Sequence, residues 1–181
     1  MPQTIEVERK WVLPDFTGFS QIPDATTQEI EQRYIDTQSG GFRIRNASSN
    51  YTATKKSDGD VARAEAETSI PEWLYVELSA ISVCGLRKTR WTFTNPDGVK
   101  LELDRYHNNL KGLVTIEAEW LVELAIDDTL DEASLLSWLQ DIRPEIFDFE
   151  LPEWLGVARD VSYCHGYKNS SLARHGLPDL L

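Results

Sequence analysis

Sulfur and imidazole are scarce in this chain, with two cysteines, one methionine and three histidines among 181 residues. Cys84 and Cys164 have neither metal-ligand spacing nor the density of a disulfide framework, which leaves them as reduced packing residues of a cytosolic protein. No Ser/His/Asp or Cys/His arrangement supports covalent catalysis, and His107, His165 and His175 fall at turns or in the tail. No apolar run approaches the roughly 18–20 residues of a membrane helix. The amino terminus lacks the charged-then-apolar pattern of a secretion signal. Positive charge is also short: 18 Lys and Arg face 30 Asp and Glu, a formal net charge of −12. That balance excludes a nucleic-acid groove and an anionic membrane surface as partners, since both need a basic face. It leaves small anions open, because a few clustered bases or a bound cation override the average field. Repeats, low-complexity tracts and Gly/Ser/Pro linkers are missing too. The expectation is one cytoplasmic domain over residues 1–181, with a helical tail from about residue 128.

What the chain does have is a core's worth of apolar residues, 41% with six Trp, six Tyr and six Phe, arranged in short segments with a two-residue alternation. This is how antiparallel strands read. Strands are predicted at about 4–12, 29–37, 41–47, 50–57, 62–68, 86–94, 98–106 and 113–123. Turn chemistry separates several of them, at Gly40-Gly41, Ser57 to Gly59, Asn95 to Gly98 and Asn108 to Gly112. Helices are predicted from Pro71 to Val83 and from Asp131 to Asp141, the second with acidic residues in its first turn and Pro144 as its stop. Eight strands suit a small closed barrel. The expected fold class is therefore mainly β (α+β), a closed eight-stranded antiparallel barrel with a few peripheral helices.

The polar sets of these strands are charged with both signs. Glu6, Glu8 and Lys10 alternate with Ile5 and Val7; Arg43 and Arg45 alternate with Phe42 and Ile44. Lys56, Glu65, Glu67, Lys88, Arg90, Glu102, Asp104, Glu117 and Glu119 complete the set, with Lys55 in the opposite phase to Lys56. On any single strand such charges read as a solvated outer face. Across eight strands that reading would force the apolar sets into a small lumen. The reverse places them outward under the helices and leaves the charges lining a tunnel. Ionised groups in that number cannot form a dry core, because desolvation costs several kcal/mol per ion unless water, counter-ions or a ligand compensate. Bases suit a polyanion, and carboxylates suit a hard divalent cation. Phosphate with Mg²⁺ or Mn²⁺ accounts for both signs in one cavity.

The Glu-x-Glu-x-Lys of Glu6 to Lys10 resembles the signature of the CYTH family, the triphosphate tunnel metalloenzymes. The resemblance continues in order through GFRIRN (41–46), YTATKKSDGD (51–60), ARAEAE (62–67), LRKTRW (86–91), KLELDRY (100–106), TIEAEW (115–120) and GYKNSSLA (166–173). It implies an eight-stranded tunnel. By that resemblance Lys10, Arg43, Arg45, Lys56, Lys88 and Arg90 bind phosphate, while Glu6, Glu8, Asp104, Glu117 and Glu119 bind metal. Glu65, Glu67 and Glu102 are implied as supporting residues, and Lys10, Glu6 and Glu8 as the catalytic group. Lys55 stands where the family usually has an apolar residue.

The implied activity is metal-dependent hydrolysis of a small-molecule triphosphate with Mg²⁺ or Mn²⁺, by in-line attack of water. The short bacterial-type layout, without a long insertion to contact an organic group, favours inorganic tripolyphosphate, cleaved to pyrophosphate and phosphate. Thiamine triphosphate hydrolysis and class IV-type cyclisation of ATP share the same lining. A non-catalytic polyphosphate- or nucleotide-binding module is the alternative of another class. The expected state is monomer or homodimer, and carboxylate neutralisation at Glu6 or Glu117 is expected to leave the fold intact or relieve repulsion.

Overall fold

A computed structural model describes residues 3–14, 16–22, 24–37, 40–56, 62–63, 65–124 and 132–178. The strands are β1 (Gln3–Val12), β2 (Thr26–Thr37), β3 (Gly40–Ala47), β4 (Asn50–Lys56), β5 (Ala62–Arg63), β6 (Glu65–Ser69), β7 (Cys84–Thr94), β8 (Lys100–Tyr106), β9 (Val114–Leu124) and β10 (Arg159–Asp160). The helices are α1 (Glu72–Ala80), α2 (Glu132–Ile142), α3 (Pro144–Phe147) and α4 (Asn169–His175). Both predicted helices and seven of the eight predicted strands are present as single elements, the exception being the strand predicted over 62–68. Pro144 does more than stop α2: it opens α3, where a missing N–H is harmless. The turn predicted at residues 57–59 lies outside the described residues. Gly40 and Gly41 belong to β3 rather than to a turn.

All strand pairs are antiparallel, in the spatial order β10-β1-β9-β8-β7-β2-β3-β4-β6. Ser48 and Ser49, with φ of 51° and 69°, close the two-residue β3–β4 turn in the twist that hairpins favour. Two features depart from the predicted closed barrel. The strand expected over 62–68 is two short pieces with different partners: β6 pairs with β4, and β5 pairs with β1 through Glu6 opposite Arg63 and Val7 opposite Ala62. Among the described residues the ladder runs as an open path, with β5 on β1 and β6 on β4 at its two sides. Twist presents the two edges of a curled sheet at an angle to each other, so one straight strand does not satisfy both.

The apolar alternates face outward, as the pattern required. Val7, Leu101, Leu103, Ile116 and Ala118 are fully buried on that side, covered by Leu135 and Leu139 of α2 and Ile146 of α3. Each such Val, Leu or Ile side chain contributes about 1.5–3 kcal/mol. Arg9, the one charge in this apolar phase of β1, is accounted for locally. It donates to the carbonyls of Phe147 (2.6 Å) and Phe149 (3.2 Å) and pairs with Asp160. A smaller cluster of Ile44, Ala53 and Tyr75 seats α1 on β3 and β4.

The tail does more than pack over the outside. Val161, Tyr167 and Leu172 join Leu86, Tyr106 and Leu113 in a third apolar cluster. Leu86 is in phase with Lys88, and Tyr106 with Asp104, so the tail stops the tunnel where β7 begins and β8 ends. The Tyr106 hydroxyl donates to Asn169 Oδ1 at 2.6 Å, fastening α4 there.

Candidate active site

Cross-strand register decides which side chains meet. Lys10 lies opposite Glu117, Glu8 opposite Glu119, Glu102 opposite Glu117, Arg90 opposite Asp104, and Lys88 opposite Tyr106. Further round, Arg45 lies opposite Gln32 and Thr52, and Arg43 opposite Tyr34 and Thr54. These charges therefore share one face.

The centre of that face is a buried ion network. Arg90 Nε donates to Asp104 Oδ1 at 2.7 Å, and its terminal nitrogen donates to Asp104 Oδ2 at 2.6 Å and Glu117 Oε2 at 2.9 Å. Arg90 also pairs with Glu102. Lys88 Nζ donates to Asp104 Oδ2 at 2.6 Å with both side chains fully buried, and Lys10 Nζ lies 2.9 Å from Glu117 Oε1. At the rim the more exposed Lys100 spans Glu119 (2.7 Å) and Glu102 (2.8 Å). On the other wall Arg43 donates to Thr54 Oγ1 at 3.0 Å and pairs with Glu67 at 3.3 Å, and Thr54 donates to Glu67 at 2.7 Å. These contacts revise one expectation. Charges on adjacent strands compensate one another directly, so desolvation does not by itself demand a water-filled interior.

The network polarises its members unequally. Burial alone would raise the Glu117 carboxyl, but Lys10 and Arg90 hold it well below its ordinary value. Asp104 is likewise held down against burial by Arg90 and Lys88. Lys10 is held up by Glu117 in spite of burial. Lys88 goes the other way, to about 7, because it is buried and lies beside Arg90. Arg45 falls to about 10 through burial and the neighbouring Arg43 and Arg90.

Among the described residues no group of three His, Cys, Asp or Glu side chains converges as a metal site. The donor chemistry nonetheless fits a hard cation. Glu8 and Glu119 face each other across β1 and β9, where Cβ atoms stand about 5 Å apart, and their carboxylate oxygens are the hard donors that a divalent cation prefers. Glu6 follows on the same face of β1. The side chains of Lys56 and Glu65 fall outside the described residues, although β4 and β6 pair the two positions and put 56 in phase with Thr54. Lys55 is in the opposite phase and exposed, as predicted.

The alternation of β2 could have revealed Gln32 and Tyr34, which the charge pattern passed over because neither is ionised near neutrality. Both line the tunnel, and the Gln32 amide donates to the Tyr34 hydroxyl at 2.6 Å. Lys100 is in phase with Glu102 and was legible in the same way. Outside the tunnel a groove of about 1060 Å³ is lined by Glu29, Glu31, Arg87, Arg105 and His107, among others, and by none of the predicted charged lining residues. Two of its lining residues meet at Thr89, whose hydroxyl donates to Glu29 at 2.7 Å and lies 2.8 Å from His107 Nε2.

No family model matches the chain. A curated relative, the inorganic triphosphatase of Nitrosomonas europaea, is 29% identical over 173 residues, spanning 93% of this chain and 96% of the relative. Of the solved structures, NE1496, described as a hypothetical protein, superposes with a TM-score of 0.62 at 25% identity over 96% of this chain and 99% of its own. A second structure of NE1496, described as an inorganic triphosphatase, gives 0.62 at 23% over 96% and 97%. HpAC1 from Hippeastrum, an adenylyl cyclase candidate with a dominant triphosphatase activity, gives 0.50 at 16% over 79% and 87%. The chain is thus similar to an inorganic triphosphatase along nearly its whole length, and its fold is the tunnel-type fold of those solved structures.

Proposed function

We propose that this protein is a metal-dependent hydrolase of triphosphates, with inorganic tripolyphosphate as its substrate and Mg²⁺ or Mn²⁺ as its cofactor. The observation that carries the reading is the single inward face on which Lys10, Lys88, Arg90, Arg43 and Arg45 stand among carboxylates. Phosphoryl transfer asks little covalent chemistry of a protein, so positioning and charge stabilisation are the work to be done. Arg43 and Arg45 on one wall, and Lys10 and Arg90 on the other, suit phosphate oxygens along a linear chain. Arg90 and Lys10 are held firmly cationic by their carboxylates and stabilise negative charge rather than exchange protons. Lys88, bonded to Asp104 at the buried end of the same network, adds a further positive charge to this face. Glu6, Glu8 and Glu119, with Asp104 and Glu117 behind them, are the residues that would hold the cation. When bound it neutralises adjacent phosphates and acidifies a coordinated water.

An activity panel of tripolyphosphate, thiamine triphosphate and ATP, each with Mg²⁺ and with Mn²⁺, tests the reading. Phosphate release from tripolyphosphate above that from the other two is the expected result. Cyclic AMP from ATP would replace it with the cyclase reading. Binding of tripolyphosphate without turnover would leave a polyphosphate-binding module.

A further inference from the structure

Gln32 is 0% exposed and faces the tunnel, in phase with Ile30 and Tyr34. Its backbone is clamped between β3 and β7, opposite Arg45 and Leu86. Gly85 of β7 approaches so closely that a Cβ there would stand 3.0 Å from the Gln32 carbonyl oxygen. The side chain is only half satisfied: Nε2 donates to the Tyr34 hydroxyl, and the buried Oε1 has no hydrogen-bond partner. Directly across the strand pair, Arg45 Nε is also buried without one. A buried amide with an unmet group weakens a fold, and a leucine would fill the same volume without that penalty. The position is therefore not explained by packing.

The Tyr34 hydroxyl both donates and accepts, and burial keeps it protonated, its pKa pushed up to about 12. With the amide turned over, that hydroxyl donates to Oε1 and Nε2 becomes an unused N–H donor on the Arg45 side of the tunnel. A neutral donor can serve an anion on this wall without adding charge. Arg45 already sits near Arg43 and Arg90, and another cation would deepen their repulsion.

We propose that Gln32 is a further substrate-contacting residue, its amide oriented by Tyr34 to donate a hydrogen bond to a phosphate oxygen held beside Arg45. The inference rests on the triphosphate reading above, and Tyr34 is its positioning residue. The test is steady-state hydrolysis of tripolyphosphate with Mg²⁺ by the full chain and by Gln32→Leu, Gln32→Glu and Tyr34→Phe, with each unliganded melting temperature. Gln32→Leu should raise KM about tenfold or more, with kcat nearly unchanged and the melting temperature equal or higher. Gln32→Glu, which points an acceptor-only carboxylate at the phosphate, should raise KM further. Tyr34→Phe should raise it less, because the amide remains but swings freely. A wild-type KM in Gln32→Leu, or a fall in melting temperature with kcat reduced and KM unchanged, would overturn the inference alone. If the wild-type chain neither binds nor cleaves tripolyphosphate, both the inference and the triphosphate reading fall.

Discussion

Replacing Arg90 with methionine keeps most of the side-chain volume and removes the cation shared by three carboxylates. The guanidinium makes two hydrogen bonds to Asp104, at 2.7 and 2.6 Å, and one to Glu117, at 2.9 Å, besides its pairing with Glu102. Three charge-assisted hydrogen bonds at about 1.5–3 kcal/mol each would set an upper bound near 9. The carboxylates keep other partners, however: Lys88 for Asp104, Lys10 for Glu117 and Lys100 for Glu102. The expected loss is therefore about 3–5 kcal/mol, the usual cost of removing one member of a buried pair. For a chain of this length that is roughly 6–20 °C in melting temperature. The pH dependence is the sharper signature. In the wild type Asp104 and Glu117 are depressed, so their contribution is present above the ordinary carboxylate range and is lost only as pH falls through their lower folded values. Without Arg90 burial is opposed only by Lys10 and Lys88, the two pKa values rise, and acidification from pH 8 towards 5 should relieve the variant. Thermal melts followed by circular dichroism over that range should show the gap between the two proteins narrowing as pH falls. A gap below about 1 kcal/mol at pH 7, the range of a solvent-screened pair, would refute the buried, mutually compensated network and restore solvent screening.

Glu117→Gln should abolish turnover and also destabilise, by about 2 kcal/mol in urea titrations, because Glu117 is bonded to Lys10 and Arg90 and is not crowded by an unpaired carboxylate. Glu6→Gln should abolish turnover with the melting temperature little changed; full activity with a lowered melting temperature would make Glu6 structural. Chelation with EDTA should stop phosphate release, and Mg²⁺ or Mn²⁺ should restore it. Tyr106→Phe should loosen the tail by about 1 kcal/mol, read as faster amide exchange in α4, since Asn169 loses its donor.

Much of this was legible from period alone. Charged alternates at Glu6, Glu8, Lys10, Lys88, Arg90, Glu102, Asp104 and Glu117 fell on one face because a side-chain period of two leaves no freedom once the apolar alternates face the helices. The compensation within the network was not legible. It depends on which residues lie opposite in register, and register is set by turns and twist as well as by the pattern. The division of the predicted 62–68 strand between β1 and β4 is of the same kind, a demand of the curled sheet rather than of the residues. Gln32 and Tyr34 were missed because uncharged polar residues on a strand look like any solvated face until burial is known.

The tail cluster of Val161, Tyr167 and Leu172 has a consequence for traffic through the protein. A tunnel stoppered at one end works as a cul-de-sac. On the triphosphatase reading, a substrate entering by the rim at Lys100 and Glu119 would leave by the same end, so two fragments of one cleaved chain would queue in single file. The fragment nearer the stopper would leave second, and the inner berth would stay filled until the outer one cleared. Release would then be ordered by geometry, and the outer product, added in excess, would hold the inner one in place.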